Sequence, residues 1–401
     1  MKKPHEFWDT QPIAAGHTNF FKGEGSNPFW VKTPEIVYDP KTETGRVVSP
    51  APAEFIQHPM VLPKGYEWYE FDVQKADELE KLCAFLRNHY ATDPADKFRI
   101  SYSNETVLWN VTPPGYRKDW HLAVVKSDTK VLVATIMATP SLVRILTENV
   151  PLVQINFLCI SPSYRGKSLA SLMIKEISRR VAILGTLSAV YTTALELPNV
   201  ITSVSYYHRP IDIKKLIKLG FCYQHKKLTM AGTLKHYALP TFKACKGLRE
   251  LELKDIEAAC KLLNEHLSEL KIATLFTEPE FQHFFIGRNN VVFSYVVEVD
   301  GKIVNFVSFY RVDTVAIHSV DKDKIIRSAY LYYVVNVDIM PEVLDIAKKL
   351  KFDLFNCTGV MKNPNFLKDC KFIEGTGRSH YYFYNFKSPT VSPDQMGVVL
   401  I

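Results

Sequence analysis

Hydrophobic positions alternate between a helical period and a strand period along the first half of the chain. The apolar residues between Ala76 and Tyr90 fall on one helix face, and those from Leu169 to Leu184 form a single stripe that stops at Gly185. Shorter apolar runs bounded by turn residues predict strands. These strands cover residues 122–125, 131–137, 152–160 and 188–193.

The second half repeats this order of elements. Helical spacing recurs at residues 255–270 and 343–350, and Asp300-Gly301 predicts a tight hairpin turn between two apolar runs. The strands of this half are predicted at 291–299, 302–310, 328–337 and 352–357. Helix, hairpin, strand, helix and strand therefore occur twice, roughly 175 residues apart. The repeat predicts an α/β (α+β) protein built from a duplicated unit, with a boundary between residues 205 and 245.

A short basic loop joins the strand at 152–160 to the helix that follows it. The loop runs Arg165-Gly166-Lys167-Ser168 and continues into Leu169-Ala170. Backbone N–H groups at a helix start, together with the helix dipole and nearby cations, favour bound phosphate. The pattern indicates a site for a phosphorylated carrier such as a coenzyme A thioester. The residues alone fit a solvated basic loop capped by Ser168 equally well.

Composition and charge narrow the class of protein. The chain has 401 residues with 49 basic and 42 acidic side chains, and its net charge of +7 comes without a dense Lys/Arg run, which argues against nucleic acid as a partner. Seven scattered cysteines form no CxxC pair, so we expect no zinc or other metal site and a reducing compartment, the cytoplasm. No apolar stretch is long enough to predict a membrane span or a signal peptide.

Several short motifs occur along the chain in a distinctive order and spacing. They include Phe7-Trp8-Asp9-Thr10-Gln11-Pro12, Ile155-Asn156-Phe157-Leu158-Cys159, Tyr206-Tyr207-His208-Arg209, Tyr381-Tyr382-Phe383-Tyr384-Asn385 and Gly397-Val398-Val399-Leu400-Ile401. Together they closely resemble the motifs of N-myristoyltransferases, which move a tetradecanoyl group from coenzyme A to an N-terminal glycine. The resemblance covers most of the chain and implies two fused GNAT-like halves related by pseudo-twofold symmetry. It implies an arm at 1–65 over the acyl-CoA site, an acyl-CoA half at 66–215 and a peptide half at 216–401.

The resemblance also implies roles for individual residues. The backbone amides of Phe157 and Leu158 would stabilise the oxyanion, and the α-carboxylate of Ile401 would take the proton of the acceptor amine. Thr192 would hold that amine, and His208 would contact the serine or threonine of a Gly-x-x-x-Ser/Thr substrate. The implied myristoyl-CoA ligands are Glu6, Phe7, Trp8, Phe157, Leu158, Cys159, Ile160, Arg165, Gly166, Lys167, Ser168, Leu169 and Ala170. The implied peptide contacts are Tyr90, Phe98, Tyr102, Asn156, Tyr191, Thr192, Tyr206, His208, Tyr310 and Asn356.

Other interpretations of the residues remain open at this point. Phe7-Trp8 fits a hydrophobic anchor, and the apolar C-terminus a frayed chain end. Cys159 is the rival nucleophile, although an apolar strand suppresses thiolate formation. The alternatives for the whole chain are another GNAT-type acyl-CoA N-acyltransferase and an inactive acyl-CoA-binding protein. The expected partners are coenzyme A and glycine-led peptides or nascent proteins, with the enzyme acting as a monomer without a metal.

Overall fold

The computed structural model describes residues 58–93, 95–224, 227–239 and 241–401, together with two short strands at 37–39 and 44–46. Most of the predicted arm at 1–65 therefore lies outside the described residues, and so do Glu6, Phe7 and Trp8.

The described residues form a mixed α/β fold, as the sequence predicts. Its helices are α1 (Ala76–His89), α2 (Asn104–Val111), α3 (Leu169–Ala182), α4 (Ile213–Lys218), α5 (Met230–His236), α6 (Ile256–Ser268), α7 (Glu278–Phe285), α8 (Met340–Lys349) and α9 (Pro364–Leu367). Its strands are β1 (Val37–Asp39), β2 (Thr44–Arg46), β3 (Tyr66–Glu70), β4 (Phe98–Ser101), β5 (His121–Lys126), β6 (Leu132–Ile145), β7 (Glu148–Ile160), β8 (Ala189–Thr193), β9 (Thr202–Pro210), β10 (Leu248–Glu250), β11 (Ile272–Thr274), β12 (Val292–Val299), β13 (Lys302–Arg311), β14 (Asp313–Ala316), β15 (Ile325–Ile326), β16 (Ser328–Val334), β17 (Leu354–Thr358), β18 (Ile373–Tyr384), β19 (Phe386–Lys387) and β20 (Met396–Gly397).

The elements predicted from periodicity are confirmed, with small differences at their ends. The first helix ends at His89 rather than Tyr90, and β6 continues eight residues past the predicted end at Met137, to Ile145. The Asp300-Gly301 turn joins β12 to β13, and both of its residues have positive φ, as a type I′ hairpin requires. The apolar stripe after the basic loop forms α3, and Gly185 follows that helix at φ +80°.

One large sheet runs through both halves of the chain and has an approximate twofold order. Its main path is β10-β12-β13-β16-β17-β9-β18-β8-β7-β6-β11-β20. On one side β16 and β17 are parallel, and on the other β7 and β8 are parallel. The strand after each parallel pair crosses to the opposite half: β9 follows β8 but pairs with β17, whereas β18 follows β17 but pairs with β8. The two halves therefore exchange strands at the centre of the sheet, where β9 and β18 pair with each other.

A buried ionic cluster holds α3 against the sheet. The carboxylate of Glu176 is fully buried and accepts hydrogen bonds from Arg179, from Arg180 and from the Met60 amide, at 2.7 to 2.9 Å. Arg180 also pairs with Glu70 at the end of β3. Burial alone would raise the pKa of Glu176, but these donors together hold it below its ordinary value. The cluster fixes the helix whose first turn meets the basic loop.

Candidate active site

A cavity of about 1960 Å³ opens where β7 and β8 separate. These parallel strands pair only at Val153 with Ala189 and at Gln154 with Val190, and then diverge. Past that point the cavity is lined by residues 155–160 on β7 and by residues 191–195 in and after β8. The splayed strands thus present unpaired main chain to an enclosed space, as a slot for an acyl chain requires.

A β-bulge shapes the wall of this cavity at Phe157 and Leu158. Thr135 pairs with Cys159 and Met137 pairs with Asn156, so two residues of β7 lie opposite Ile136 alone. Phe157 adopts a left-handed conformation at φ +54°, and the Thr135 hydroxyl donates to its carbonyl at 2.9 Å. A bulge takes main-chain groups out of the regular ladder. Two adjacent amides can therefore serve a ligand in the cavity.

Tyr90 lies beside Phe157 on the cavity wall. The centres of the two rings are 5.9 Å apart, and the ring planes are tilted by 57°. Burial raises the pKa of the Tyr90 hydroxyl, so this group remains protonated at neutral pH.

The basic loop lies at the start of α3, on the wall of the same cavity. Gly166 and Ser168 both have positive φ, and the Ser168 side chain makes no capping hydrogen bond, contrary to the alternative in which it caps the helix. Arg165 donates to the carbonyls of Ile160 and His89, which fixes its guanidinium beside the loop. The loop thus offers first-turn amides and a fixed cation to an anionic group.

Two lysines flank the aromatic ring next to this loop. The ammonium groups of Lys167 and Lys126 lie 5.2 Å and 5.8 Å from the centre of the Tyr164 ring. Arg165, Gly166, Ser168, Leu169 and Ala170 line the cavity, whereas Lys167 does not. Lys167 therefore contributes positive charge beside the loop, outside the cavity wall.

The last residues of the chain reach the cavity from the other half. Gly397 pairs with β11, where a Cβ would lie 2.6 Å from the Leu270 side chain and 3.0 Å from the Ala273 Cβ, so a larger residue would displace its neighbours. The Tyr333 hydroxyl donates to the Gly397 carbonyl at 3.2 Å and accepts from the Val399 amide at 3.3 Å. Val399, Leu400 and Ile401 then line the cavity that also contains Phe157 and Leu158. The chain end is packed, in contrast to the frayed alternative.

Aromatic residues line the part of the cavity expected to take a peptide. Tyr102 and Tyr310 are buried, and burial raises the pKa of both hydroxyls well above the usual value, so they remain protonated donors. The Tyr102 ring packs edge-on against Phe157 at 5.1 Å. Other predicted peptide residues on the cavity wall are Tyr90, Phe98, Asn156, Tyr191, Thr192, Tyr206 and His208.

Asn356 is the predicted peptide residue that does not line the cavity. It is buried behind His208, and its Oδ1 atom lies 2.7 Å from His208 Nδ1. Asn356 therefore positions the imidazole of His208, which does line the cavity. Sequence reasoning missed Phe221, whose ring packs edge-on against both Phe98 and His208. It also missed the glycine-rich bulge of β18, at 375–377, because no local period marks either feature.

The Cys159 thiol is a poor nucleophile in this cavity. Burial raises the pKa of the thiol to about 12, which leaves almost no thiolate at neutral pH. Asp93, on the same cavity wall, uses both carboxylate oxygens to accept from the amides of Ala95, Lys97 and Phe98. These hydrogen bonds hold Asp93 to the start of β4.

Neither a cluster of metal ligands nor a membrane-spanning helix occurs among the described residues. Within that part of the chain, histidine, cysteine and carboxylate side chains form no cluster able to hold a metal ion. No helix there has the length and apolar character needed to cross a membrane.

Comparison with known proteins assigns the chain to a family. Two family profiles match it: "Myristoyl-CoA:protein N-myristoyltransferase, N-terminal domain" over residues 48–204 and the corresponding C-terminal domain over residues 218–399. The chain is 36% identical over 407 residues to glycylpeptide N-tetradecanoyltransferase 1 of Arabidopsis thaliana, covering 100% of this chain and 90% of that protein. It is 32% identical over 406 residues to glycylpeptide N-tetradecanoyltransferase of Plasmodium falciparum, covering 100% and 94%.

A solved structure agrees with the sequence comparisons. The crystal structure of Saccharomyces cerevisiae N-myristoyltransferase with bound myristoyl-CoA superposes with a TM-score of 0.87 at 30% identity, covering 100% of this chain and 96% of that chain. This chain belongs to the myristoyl-CoA:protein N-myristoyltransferase family.

Proposed function

We propose that this protein transfers a tetradecanoyl group from tetradecanoyl-CoA to the α-amine of an N-terminal glycine. The observation that carries the proposal is a single cavity lined by the basic loop, by the bulge residues Phe157 and Leu158, and by the carboxyl-terminal residue. Membership of the family and the myristoyl-CoA bound to the yeast relative support the same assignment.

The reaction we propose is a direct attack without a covalent enzyme intermediate. The Ile401 carboxylate accepts a proton from the substrate ammonium group, whose ordinary pKa is about 8. The free amine attacks the thioester carbonyl, and its electron pair forms the new C–N bond. The carbonyl oxygen becomes an oxyanion that accepts from the amides of Phe157 and Leu158. Its collapse breaks the C–S bond, and the nitrogen passes its second proton to the departing thiolate. Coenzyme A is thus released as the thiol, and Ile401 returns its proton to solvent.

The remaining ligand contacts follow from where each group lies. Arg165, the loop amides and the nearby lysines would bind the phosphates of coenzyme A, while Cys159 and Ile160 would line the acyl slot. Thr192 would hold the glycine amine, and His208 would contact the substrate's serine or threonine. We further propose that the N-terminal half ends at residue 215, that the C-terminal half begins at residue 216, and that the arm at 1–65 covers the acyl-CoA. We also propose that the protein acts as a monomer in the cytoplasm.

A transfer assay tests the activity. The protein is mixed with tetradecanoyl-CoA and a Gly-x-x-x-Ser peptide, and the mass of the peptide is followed. We expect a mass increase of one tetradecanoyl group, which is lost when the first glycine is replaced by alanine. Acetyl-CoA is the control donor and should react far more slowly. Binding of tetradecanoyl-CoA without transfer would show an inactive acyl-CoA-binding protein, and equal use of acetyl-CoA would show a different N-acyltransferase.

A further inference from the structure

The positive charge of this chain is concentrated in one segment. Residues 213–249 contain eight lysines and one arginine, and they contain no aspartate or glutamate. The other 364 residues contain 40 basic and 42 acidic side chains, since the whole chain has 49 and 42. The segment therefore has a formal charge of +9, whereas the rest of the chain has −2. Such a separation of charge indicates a surface that meets an anionic partner.

Ion pairs neutralise only part of this charge. Lys215 and Lys218 pair with aspartates on other parts of the chain, and Arg249 is held by Asp255 and Glu298. Four other lysines of the segment are exposed and form no ion pair with any described residue: Lys214, Lys235, Lys243 and Lys246. These four cations are therefore available to a partner.

A buried arginine fixes the middle of the segment to the sheet. Arg209, on β9, is fully buried and donates to the carbonyls of Tyr237 and Ala238 at 3.0 and 3.1 Å. Thr233 is fully buried as well, so one side of α5 faces the protein. The segment is thus held in place, and its other side is directed away from the protein.

The outer side of α5 combines apolar and basic side chains. Ala231, Leu234 and Lys235 are exposed, and their spacing of three and four residues places them on one helix face. Lys371, from outside the segment, donates to the His236 carbonyl at 2.8 Å and adds a further cation next to this face. The face is therefore amphipathic in the sense opposite to a core helix, because its apolar groups lie among cations in solvent.

Large apolar side chains are exposed in the flanking parts of the segment too. Tyr223 is 81% exposed, Leu234 44% and Phe242 40%. Lysines interleaved with exposed aromatic and aliphatic groups are typical of surfaces that bind the interface of an anionic bilayer. The lysines meet the headgroups there, while the apolar groups reach the boundary of the acyl chains.

This surface adjoins the mouth of the cavity. Residues 220–223 and Tyr237 line the cavity wall. Because Tyr223 both lines the cavity and is largely exposed, it marks the place where the cavity opens to the surface. A partner bound to the segment would therefore lie next to the opening.

The kind of cation favours lipid over nucleic acid as this partner. Arginine presents a rigid fork of donors that suits phosphate and base recognition, whereas lysine acts as a point charge without a fixed geometry. The only arginine of the segment, Arg249, is already held by two carboxylates. The available cations are lysines, which match the diffuse negative charge of a headgroup layer.

We propose that residues 213–249 form a surface that binds anionic phospholipid bilayers. The four available lysines contact the headgroups, and Tyr223, Leu234 and Phe242 enter the interface. In this orientation the mouth of the cavity lies against the bilayer, so an acylated product leaves beside the lipid. That last consequence rests on the proposed function, whereas the binding itself requires no acyl transfer.

Sedimentation with vesicles tests the binding in the absence of any substrate. The full chain is mixed with vesicles of phosphatidylcholine alone or of phosphatidylcholine with about one third phosphatidylserine. We expect binding to the anionic vesicles only, with a steep loss as the salt concentration rises from about 0.05 to about 0.5 M. Equal binding to both kinds of vesicle, or no binding to the anionic kind, would overturn the inference.

A pair of variants with equal net charge tests the location of the surface. Each lysine near an anionic bilayer contributes about fivefold to the partition constant, so the loss of three should lower it about 100-fold. The test variant carries Lys235→Gln, Lys243→Gln and Lys246→Gln. The control variant replaces three exposed lysines elsewhere: Lys64→Gln, Lys261→Gln and Lys271→Gln. The control should bind nearly as well as the wild type, and equal losses in the two variants would show that only net charge matters.

A second test separates lipid from nucleic acid. Leu234→Asn with Phe242→Asn leaves the net charge unchanged and should weaken binding to anionic vesicles at every salt concentration. Unchanged binding of this variant would contradict entry of apolar groups into the interface. A single-stranded RNA of random sequence is the alternative ligand. If RNA binds more tightly than anionic vesicles at the same salt concentration, the surface belongs to nucleic acid and the inference is overturned.

The inference and the proposed function can fail separately. None of the substituted lysines lines the cavity, so the unfolding midpoint and the transfer rate to a dissolved peptide should stay at the wild-type values without vesicles. If vesicles bind and no glycine-led peptide is acylated, the proposed function fails and the lipid-binding surface stands. If peptides are acylated and anionic vesicles do not bind, the function stands and the surface is overturned.

Discussion

Removal of the Thr135 hydroxyl tests the proposed oxyanion site most directly. It donates to the Phe157 carbonyl inside the protein, with Thr135 fully buried. Thr135→Val keeps the shape of the side chain and removes the donor. The same carbonyl belongs to a residue at φ +54°, a conformation that costs a non-glycine residue about 1 to 3 kcal/mol.

The expected loss of stability follows from the unpaired carbonyl and from the backbone strain at Phe157. A buried carbonyl left without its partner costs about 1 to 3 kcal/mol, comparable to the strain that the bond offsets. We therefore expect the free energy of unfolding to fall by about 1 to 3 kcal/mol. We also expect the bulge to lose its fixed shape, which misaligns the amides of Phe157 and Leu158. Loss of one oxyanion donor lowers kcat by about 100- to 1000-fold in other enzymes, so a fall in kcat approaching that range is expected.

Two assays separate the effect on catalysis from the effect on stability. Initial rates are measured from the release of the coenzyme A thiol, and stability is measured by denaturant unfolding. Thr135→Ser retains the hydroxyl and should retain kcat. Thr139→Val makes the same substitution four residues along β6, on the same face, and should affect stability without a large change in kcat. If Thr135→Val folds and keeps the wild-type kcat, the bulge does not build the oxyanion site.

Four further predictions test other parts of the site. Adding one glycine after Ile401 should abolish turnover while the unfolding midpoint is kept, since the base would become an amide; full activity would refute this role. Cys159→Ala should keep its kcat, because the thiol pKa of about 12 leaves no nucleophile, and a burst of acyl-enzyme in the wild type would contradict this. Glu176→Gln should lower the free energy of unfolding by about 3 kcal/mol because it leaves buried arginines unpaired. The pKa of Glu176 in the folded wild type is held below its ordinary value, so its contribution to stability is present above the unfolded-state pKa and is lost as the pH falls through the folded-state pKa. The variant should lack this acid dependence in unfolding curves at pH 3 to 7. Gly375→Ala should displace His208 and reduce the preference for serine over alanine at the fifth substrate residue, and an unchanged preference would argue against contact at this edge.

Local periodicity predicted most of the elements in this fold. Leu169 to Leu184 repeat at helical spacing because α3 buries one face only, and Asp300-Gly301 marks a turn through its backbone preferences. The strand exchange of β9 and β18 could not be predicted in this way. Their partners lie in the opposite half of the chain, and pairing between distant strands leaves no periodic signal.

The features of the candidate site also differ in whether a local sequence signal predicts them. The Arg165 loop carries its own signal in charge and glycine content, and it lies where the sequence predicts. The positive φ of Phe157 has no such signal, because phenylalanine rarely adopts it and the bulge depends on pairing with the neighbouring strand β6. The bond between Asn356 and His208 has no local signal either, because the register of three strands brings the two residues together.

The strand exchange also limits which strands can pair while the chain is being synthesised. When residue 215 has been synthesised, β8 still has an open edge, because its neighbour β18 lies more than 150 residues downstream. β9 has by then been made, but its partner β17 has not. The sheet of the first half therefore stays incomplete until residue 384, the last residue of β18, has left the ribosomal exit tunnel. Neither half expressed alone should reach the native state, whereas the two fragments mixed together should recover it.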